Sequence, residues 1–184
     1  MRTRLLAGGA VITGMCLMQC APAVDGQTHI GRSAEEHVTL GLVRGMAEGC
    51  GRPLYDFVRI LPDGSSLKGG DGLGYRIPAD RNLIVTDVDW QYTHPKRAEA
   101  AGKTQVLRLF VQNRSDRTEQ ARVFESTVTL SSQGEGGASE RMTTGFVISS
   151  AARICPEVVP GPDGPPSGLL HMILRGYFIP ATAP

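Results

Sequence analysis

The chain has 184 residues, and its 19 lysines and arginines nearly balance its 18 aspartates and glutamates, giving a formal net charge of +1. A chain this close to neutral has no strong electrostatic attraction for nucleic acid or anionic lipid, so we expect neither as a partner. Its length suits one domain with a sizeable hydrophobic core.

Residues 1–23 are predicted to be a cleaved secretory signal peptide. Two arginines open the segment, an uncharged apolar stretch follows, and Ala-Pro-Ala at 21–23 fits a signal-peptidase site. The apolar stretch is too short to cross a membrane, and no transmembrane segment is expected elsewhere. We therefore expect an exported protein, periplasmic or extracellular. An uncleaved membrane anchor is an alternative, as is a lipoprotein acylated at Cys20, although Gln19 is larger than the residue preferred before a lipidated cysteine.

Cleavage after residue 23 leaves two of the four cysteines, Cys50 and Cys155. An even count in an oxidising compartment predicts a disulfide between them. The bond closes a loop of about 105 residues, for which the chain-entropy model gives roughly 4–5 kcal/mol. Two separate buried thiols are the alternative. A zinc site is not expected, because no Cys-x-x-Cys or nearby histidine completes four ligands.

The mature chain starts with a polar segment at 24–32, interpreted as a flexible leader, and continues into a predicted domain at 33–180. A capping-box pattern at 33–36 predicts the start of a helix. The apolar residues of 34–48 fit either a helix or a strand. We predict a strand over 37–44, because the glycines of this segment each cost a helix up to about 1 kcal/mol.

The remaining elements follow as short segments separated by turn-forming residues. Residues 62–72 are predicted to be a loop, and 131–138 a mobile loop rich in glycine. No long helical period occurs, so we predict an all-β fold, a single antiparallel β-sandwich or jelly-roll domain. Its further strands are predicted at 54–61, 75–77, 82–92, 104–113, 121–130, 142–148, 153–159 and 169–179.

The segment 82–92 is predicted to be the central strand. Successive side chains of a strand point to opposite faces, which here separates an apolar face from a partly acidic one. The only tryptophan of the chain, Trp90, is expected to be buried. The predicted core face comprises Ile84, Thr86, Val88, Trp90 and Tyr92, and the opposite face Leu83, Val85, Asp87, Asp89 and Gln91.

The candidate binding residues are Asp87, Asp89 and Tyr92. Two carboxylates on one strand face can bind Ca²⁺ or act as a general acid and base, but the polar face of a strand is the simpler interpretation. No catalytic residue is predicted, since the sequence has no nucleophile-elbow motif. The four histidines lack the local pairing of a metal site, so no metal and no cofactor are expected.

Three functional hypotheses remain. The favoured one, because catalytic motifs are missing, is a secreted non-enzymatic β-sandwich protein that binds a protein or glycan or forms a homo-oligomer. The second is an exported hydrolase with an acidic site at Asp87 and Asp89. The third is an envelope or surface assembly protein. The strand pattern alone does not separate them.

Overall fold

The computed structural model describes residues 33–44, 55–68, 74–116, 118–160 and 168–181, and within them the protein is nearly all β. These residues contain two single turns of 3-10 helix, at Ala34–Glu36 and Arg97–Glu99, and no α-helix. The predicted signal peptide, the predicted leader and Cys50 lie outside the described residues. The strands are β1 His37–Arg44, β2 Tyr55–Ile60, β3 Ser66–Leu67, β4 Arg81–Thr93, β5 Thr104–Asn113, β6 Gln120–Thr129, β7 Glu135–Ser149, β8 Ala152–Pro160 and β9 Leu169–Pro180.

The strands form two antiparallel sheets. The larger sheet has the order β3-β2-β1-β9-β4-β7, and the smaller has the order β6-β5-β8. The last strand, β9, therefore lies between β1 and β4, and β7 lies at the edge of the larger sheet. The expectation of an all-β protein is confirmed, and β4 is an interior strand of its sheet as predicted.

One hydrophobic cluster joins the two sheets. It includes Val85, Val88, Trp90 and Met172 from the larger sheet, and Leu107, Leu109, Phe124 and Val158 from the smaller one. Trp90 is 0% exposed, which confirms its predicted burial. Its indole Nε1 donates a buried hydrogen bond of 3.1 Å to Oγ of Ser126 on β6. The ring thus fills the shared core while its polar atom is satisfied across it.

The two faces of β4 follow the prediction only in the second half of the strand. Over 87–92 the buried residues alternate with the more exposed ones as expected. Before that point the predicted faces are wrong. Leu83 and Val85, 1% and 0% exposed, belong to the core cluster, whereas Ile84 lies outside it.

A β-bulge causes this reversal. The pairing of β4 with β9 passes from Val85–Gly176 to Asp87–Arg175, so that Thr86 has no opposite residue. An extra residue in one strand shifts its side-chain alternation by one position. Val85 and Val88 consequently face the same side although they are three residues apart.

Three local assignments can also be compared with the structure. The predicted strand at 37–44 is confirmed as β1, but the helix start at 33–36 amounts to one 3-10 turn. Residues 75–77 are not a strand; the N–H of Tyr75 instead donates to the carbonyl of Phe57 at 2.6 Å. The prediction of a loop at 131–138 is also wrong for the second half of that segment. It forms the start of β7, because β4 offers this glycine-rich segment a long pairing partner.

The disulfide between Cys50 and Cys155 stays a prediction. Cys155 lies on β8, is 2% exposed and is outside the main core cluster. Phe57, near the described start of β2, lines the same small cavity as Ile154, the neighbour of Cys155. We expect non-reducing peptide mapping of protein produced in an oxidising compartment to recover the two cysteines in one linked peptide. Loss of the bond should cost about 2–5 kcal/mol. Complete alkylation of both thiols without reductant would contradict the pairing.

Candidate functional site

The outer face of the larger sheet, which is turned away from the core, carries Asp87 and Asp89. Their side chains are 22% and 31% exposed. In the strand register Asp87 lies between Arg141 of β7 and Arg175 of β9. We call these four side chains the ion-pair group. They form a charged row across three neighbouring strands.

Both carboxylate oxygens of Asp87 are engaged. Oδ1 accepts a hydrogen bond of 3.0 Å from Nε of Arg141, and Oδ2 accepts one of 2.7 Å from the hydroxyl of Thr86. Partial burial acts to raise the pKa of Asp87, but the hydrogen bonds from Thr86 and Arg141, with the charges of Arg141 and Arg175, outweigh it and hold the pKa below its usual value. Asp87 is therefore an anion at neutral pH.

Asp89 has a looser partner. Its Oδ2 lies 4.0 Å from Nη2 of Arg175, near the limit of an ion pair. Each aspartate thus has a guanidinium beside it.

A general acid needs a carboxyl that stays protonated near neutral pH, and the lowered pKa of Asp87 is the opposite condition. The described residues also contain no group of three or more His, Cys, Asp or Glu placed to hold a metal ion.

Tyr92 does not share this surface. It lies on the core side of β4, belongs to the core cluster and is 1% exposed. The structure thus brings Asp87 and Asp89 together on one face and places the Tyr92 ring beneath it. Trp90 is buried on the same side as Tyr92, so neither ring is available to stack on a sugar.

A shallow groove adjoins the ion-pair group at the end of β4. A second bulge forms its wall, because the β4–β9 pairing passes from Gln91–His171 to Tyr92–Leu169 and leaves Leu170 without an opposite residue. Leu170 is 67% exposed, whereas Met172, two positions later on β9, is 0% exposed. We call this feature the end groove; its lining includes Asp89, Gln91, Glu135, Gly137, Ser139 and Leu170.

Sequence reasoning did not identify Arg141, Arg175 or Leu170 as part of a site. The two arginines lie more than fifty positions from the aspartates along the chain, and only the strand register brings them together. The alternation of Arg175 with the apolar residues of β9 was a usable signal for an outward side chain. Nothing in the local sequence predicts the bulge that exposes Leu170.

The ion pair of Asp87 makes stability depend on pH. A carboxyl whose pKa is lowered by folding stabilises the protein above its unfolded pKa of about 4, and this contribution is lost as pH falls through the folded value. We expect Asp87→Asn to be less stable than the wild-type chain at pH 7, and the difference to shrink below about pH 4. Urea unfolding of both proteins across this range measures it. A difference that stays constant down to the lowest pH would contradict the lowered pKa.

Comparison of the chain with models of known protein families, with curated proteins and with solved structures found no match. Within the part of the chain that the structure describes, no helix has the length and apolar character needed to span a membrane.

Proposed function

We propose that this is an exported, non-enzymatic β-sandwich protein that binds another protein through the outer face of its larger sheet. The observation that carries the proposal is the exposure of Leu170 and Val147, 67% and 54%, on the face that holds the ion-pair group. Val147 lies opposite Ile84 and Leu170 lies beside the Tyr92 pairing, so the two apolar side chains flank the ion-pair group near the two ends of β4. Protein interfaces combine apolar contacts with polar and charged ones in this way. The proposed export rests on the signal-peptide pattern of 1–23.

The hydrolase hypothesis receives less support from the same residues. Hydrolysis by two carboxyl groups needs one of them to be protonated and both to face a substrate. Asp87 uses both oxygens within the protein, on Thr86 and Arg141, and its pKa is lowered. This arrangement favours a structural and recognition role for the ion-pair group over acid–base chemistry.

A protein partner is also favoured over a glycan. Carbohydrate sites commonly use an exposed aromatic ring, whereas Trp90 and Tyr92 are 0% and 1% exposed. Tyr177, which lies opposite Ile84 on the outer face, is only partly exposed. The outer face instead presents aliphatic side chains beside paired charges. A protein that presents charges to the ion-pair group and apolar side chains to Leu170 and Val147 would complement it.

Site-specific photo-crosslinking in the exporting cell tests this proposal. A photoreactive amino acid replaces Leu170, which is highly exposed at the end groove, and in the matched control it replaces Thr127, an exposed residue of β6 on the smaller sheet. We expect the probe at position 170 to give a discrete protein adduct, identified by mass spectrometry, that the control lacks.

Equal labelling at positions 170 and 127, or no adduct at 170, would overturn the proposed face. A hydrolytic activity of the purified protein that Asp87→Asn abolishes while the fold is retained would favour the hydrolase instead. An adduct dominated by one abundant envelope protein would assign the assembly role.

A further inference from the structure

Three cross-strand pairs of β4 and β7 form the floor of the end groove. Asp89 lies opposite Ser139, Gln91 opposite Gly137, and Thr93 opposite Glu135. Residues directly opposite each other on neighbouring strands point to the same face, so all three pairs face outward. With Leu170 as one wall, the groove has a volume of about 650 Å³, which lies in the range of ligand sites.

The neutral polar side chains of the groove are not used within the protein. Those of Gln91, Thr93 and Ser139 make no hydrogen bond to another described residue. In the neighbouring ion-pair group, by contrast, both carboxylate oxygens of Asp87 are engaged. The groove therefore has donors and acceptors to offer to the backbone of a bound segment.

The two charged side chains that line the groove are both acidic. Oδ2 of Asp89 lies 4.0 Å from Nη2 of Arg175, which is level with Asp87 and outside the groove. Oε1 of Glu135 lies 3.4 Å from Nη1 of Arg97, in the loop beyond β4. Each carboxylate keeps its other oxygen for a further cation. The lining of the groove is thus complementary to positive charge.

The two carboxylates stand at opposite ends of the groove. Asp89 is level with Ser139 and Glu135 is level with Thr93, so the two are four residue positions apart along the strands. At about 3.3 Å per residue this separation is roughly 13 Å. In an extended segment the side chains of residues i and i+4 share one face and have the same spacing. A segment with basic residues at these two positions therefore places one cation at each carboxylate.

The middle of the groove suits an apolar side chain. The bulge in β9 places Leu170 beside the levels of Gln91 and Tyr92, and Leu170 is 67% exposed. Gly137, opposite Gln91, has no side chain and leaves space on the other side. An apolar residue at position i+2 of a bound segment would cover Leu170 and remove its surface from water.

We propose that the end groove binds an extended segment of a partner protein with the pattern basic-x-apolar-x-basic. This inference rests on the proposed function and specifies the chemistry of the partner. The segment belongs to a different protein, because no two of the 19 lysines and arginines of this chain are four positions apart. A second copy of the chain therefore does not supply the pattern.

Nuclear magnetic resonance titration of the purified protein tests the charge pattern. The probe is the acetylated and amidated peptide Gly-Lys-Ser-Leu-Ser-Lys-Gly. One control peptide has glutamine for both lysines, and the other, Gly-Lys-Ser-Leu-Lys-Ser-Gly, has its lysines on opposite faces of an extended chain. We expect the probe to shift the resonances of Gly137 and Leu170. Each control should bind at least about twofold more weakly, because exposed ion pairs are lost.

Matched variants locate the charge on the protein. Asp89→Asn and Glu135→Gln should each weaken binding of the probe by roughly two- to fivefold, the effect of one exposed ion pair. Asp80→Asn is the control and should leave the affinity unchanged. Asp80 is also an exposed carboxylate beside an arginine, with 3.5 Å between its Oδ2 and Nε of Arg81, but it lies at the other end of β4. Unchanged urea unfolding of the three variants verifies that each retains the fold.

Equal affinity of the lysine and glutamine peptides would overturn this inference, as would unshifted resonances of Gly137 and Leu170 up to the solubility limit of the probe. The photo-crosslinking at position 170 decides the proposed function separately. A discrete adduct there whose crosslinked peptide lacks the basic pattern would overturn the basic segment and leave outer-face binding intact. A missing adduct would remove the proposed function, and this inference with it.

Discussion

Trp90→Ala should lower the free energy of unfolding by about 3–5 kcal/mol, the cost typical of removing a large aromatic ring from a core. The ring is 0% exposed and lies among side chains of both sheets, so its removal leaves a cavity where the sheets meet. The substitution also removes the indole N–H that donates a hydrogen bond to Oγ of Ser126. Urea unfolding followed by far-ultraviolet circular dichroism measures the change.

Trp90→Phe is the matched control, because it keeps much of the apolar volume and removes the indole donor. Trp90→Phe should lower the free energy of unfolding by clearly less than Trp90→Ala does. Since Trp90 is the only tryptophan, acrylamide quenching of the wild-type fluorescence reports on this site alone. Quenching as strong as that of free tryptophan would show an exposed ring and contradict the described core.

Gly176→Ala should destabilise the protein by at least about 3 kcal/mol, at the upper end of overpacking substitutions. A Cβ at Gly176 would overlap the carbonyl oxygen of Ile84 and lie 3.0 Å from Cα of Val85. Both are backbone atoms of β4 beside the bulge, so relief requires the two strands to separate. Chemical denaturation of the purified variant measures the loss, and a reduced yield of folded protein should accompany it.

Gly41→Ala provides the control for this prediction. The added Cβ would meet the end of the Ile60 side chain at 2.9 Å, and a side-chain end can move where backbone cannot. We expect a much smaller loss of stability than for Gly176→Ala. Equal losses at the two positions would contradict the explanation that Gly176 is needed for the close contact between β4 and β9.

The sequence by itself determined the class of fold and most strand positions. The strands predicted at 37–44, 82–92 and 104–113 correspond closely to β1, β4 and β5. The burial of Trp90 also followed from its local alternation. These properties were predictable because alternation with period two is a local pattern that each strand carries in its own residues.

Only the tertiary structure decided the register, and with it the composition of the candidate site. The bulge at Thr86 turns Val85 into the core, and it lies where Gly176, ninety positions later in the chain, closely approaches the β4 backbone. The pairing of Asp87 with Arg141 depends in the same way on strands that are neighbours in space and distant in sequence. Strand pairing is selected by the burial and hydrogen bonding of the whole sheet, so a one-residue shift that no local pattern records decides which side chains reach the outer face.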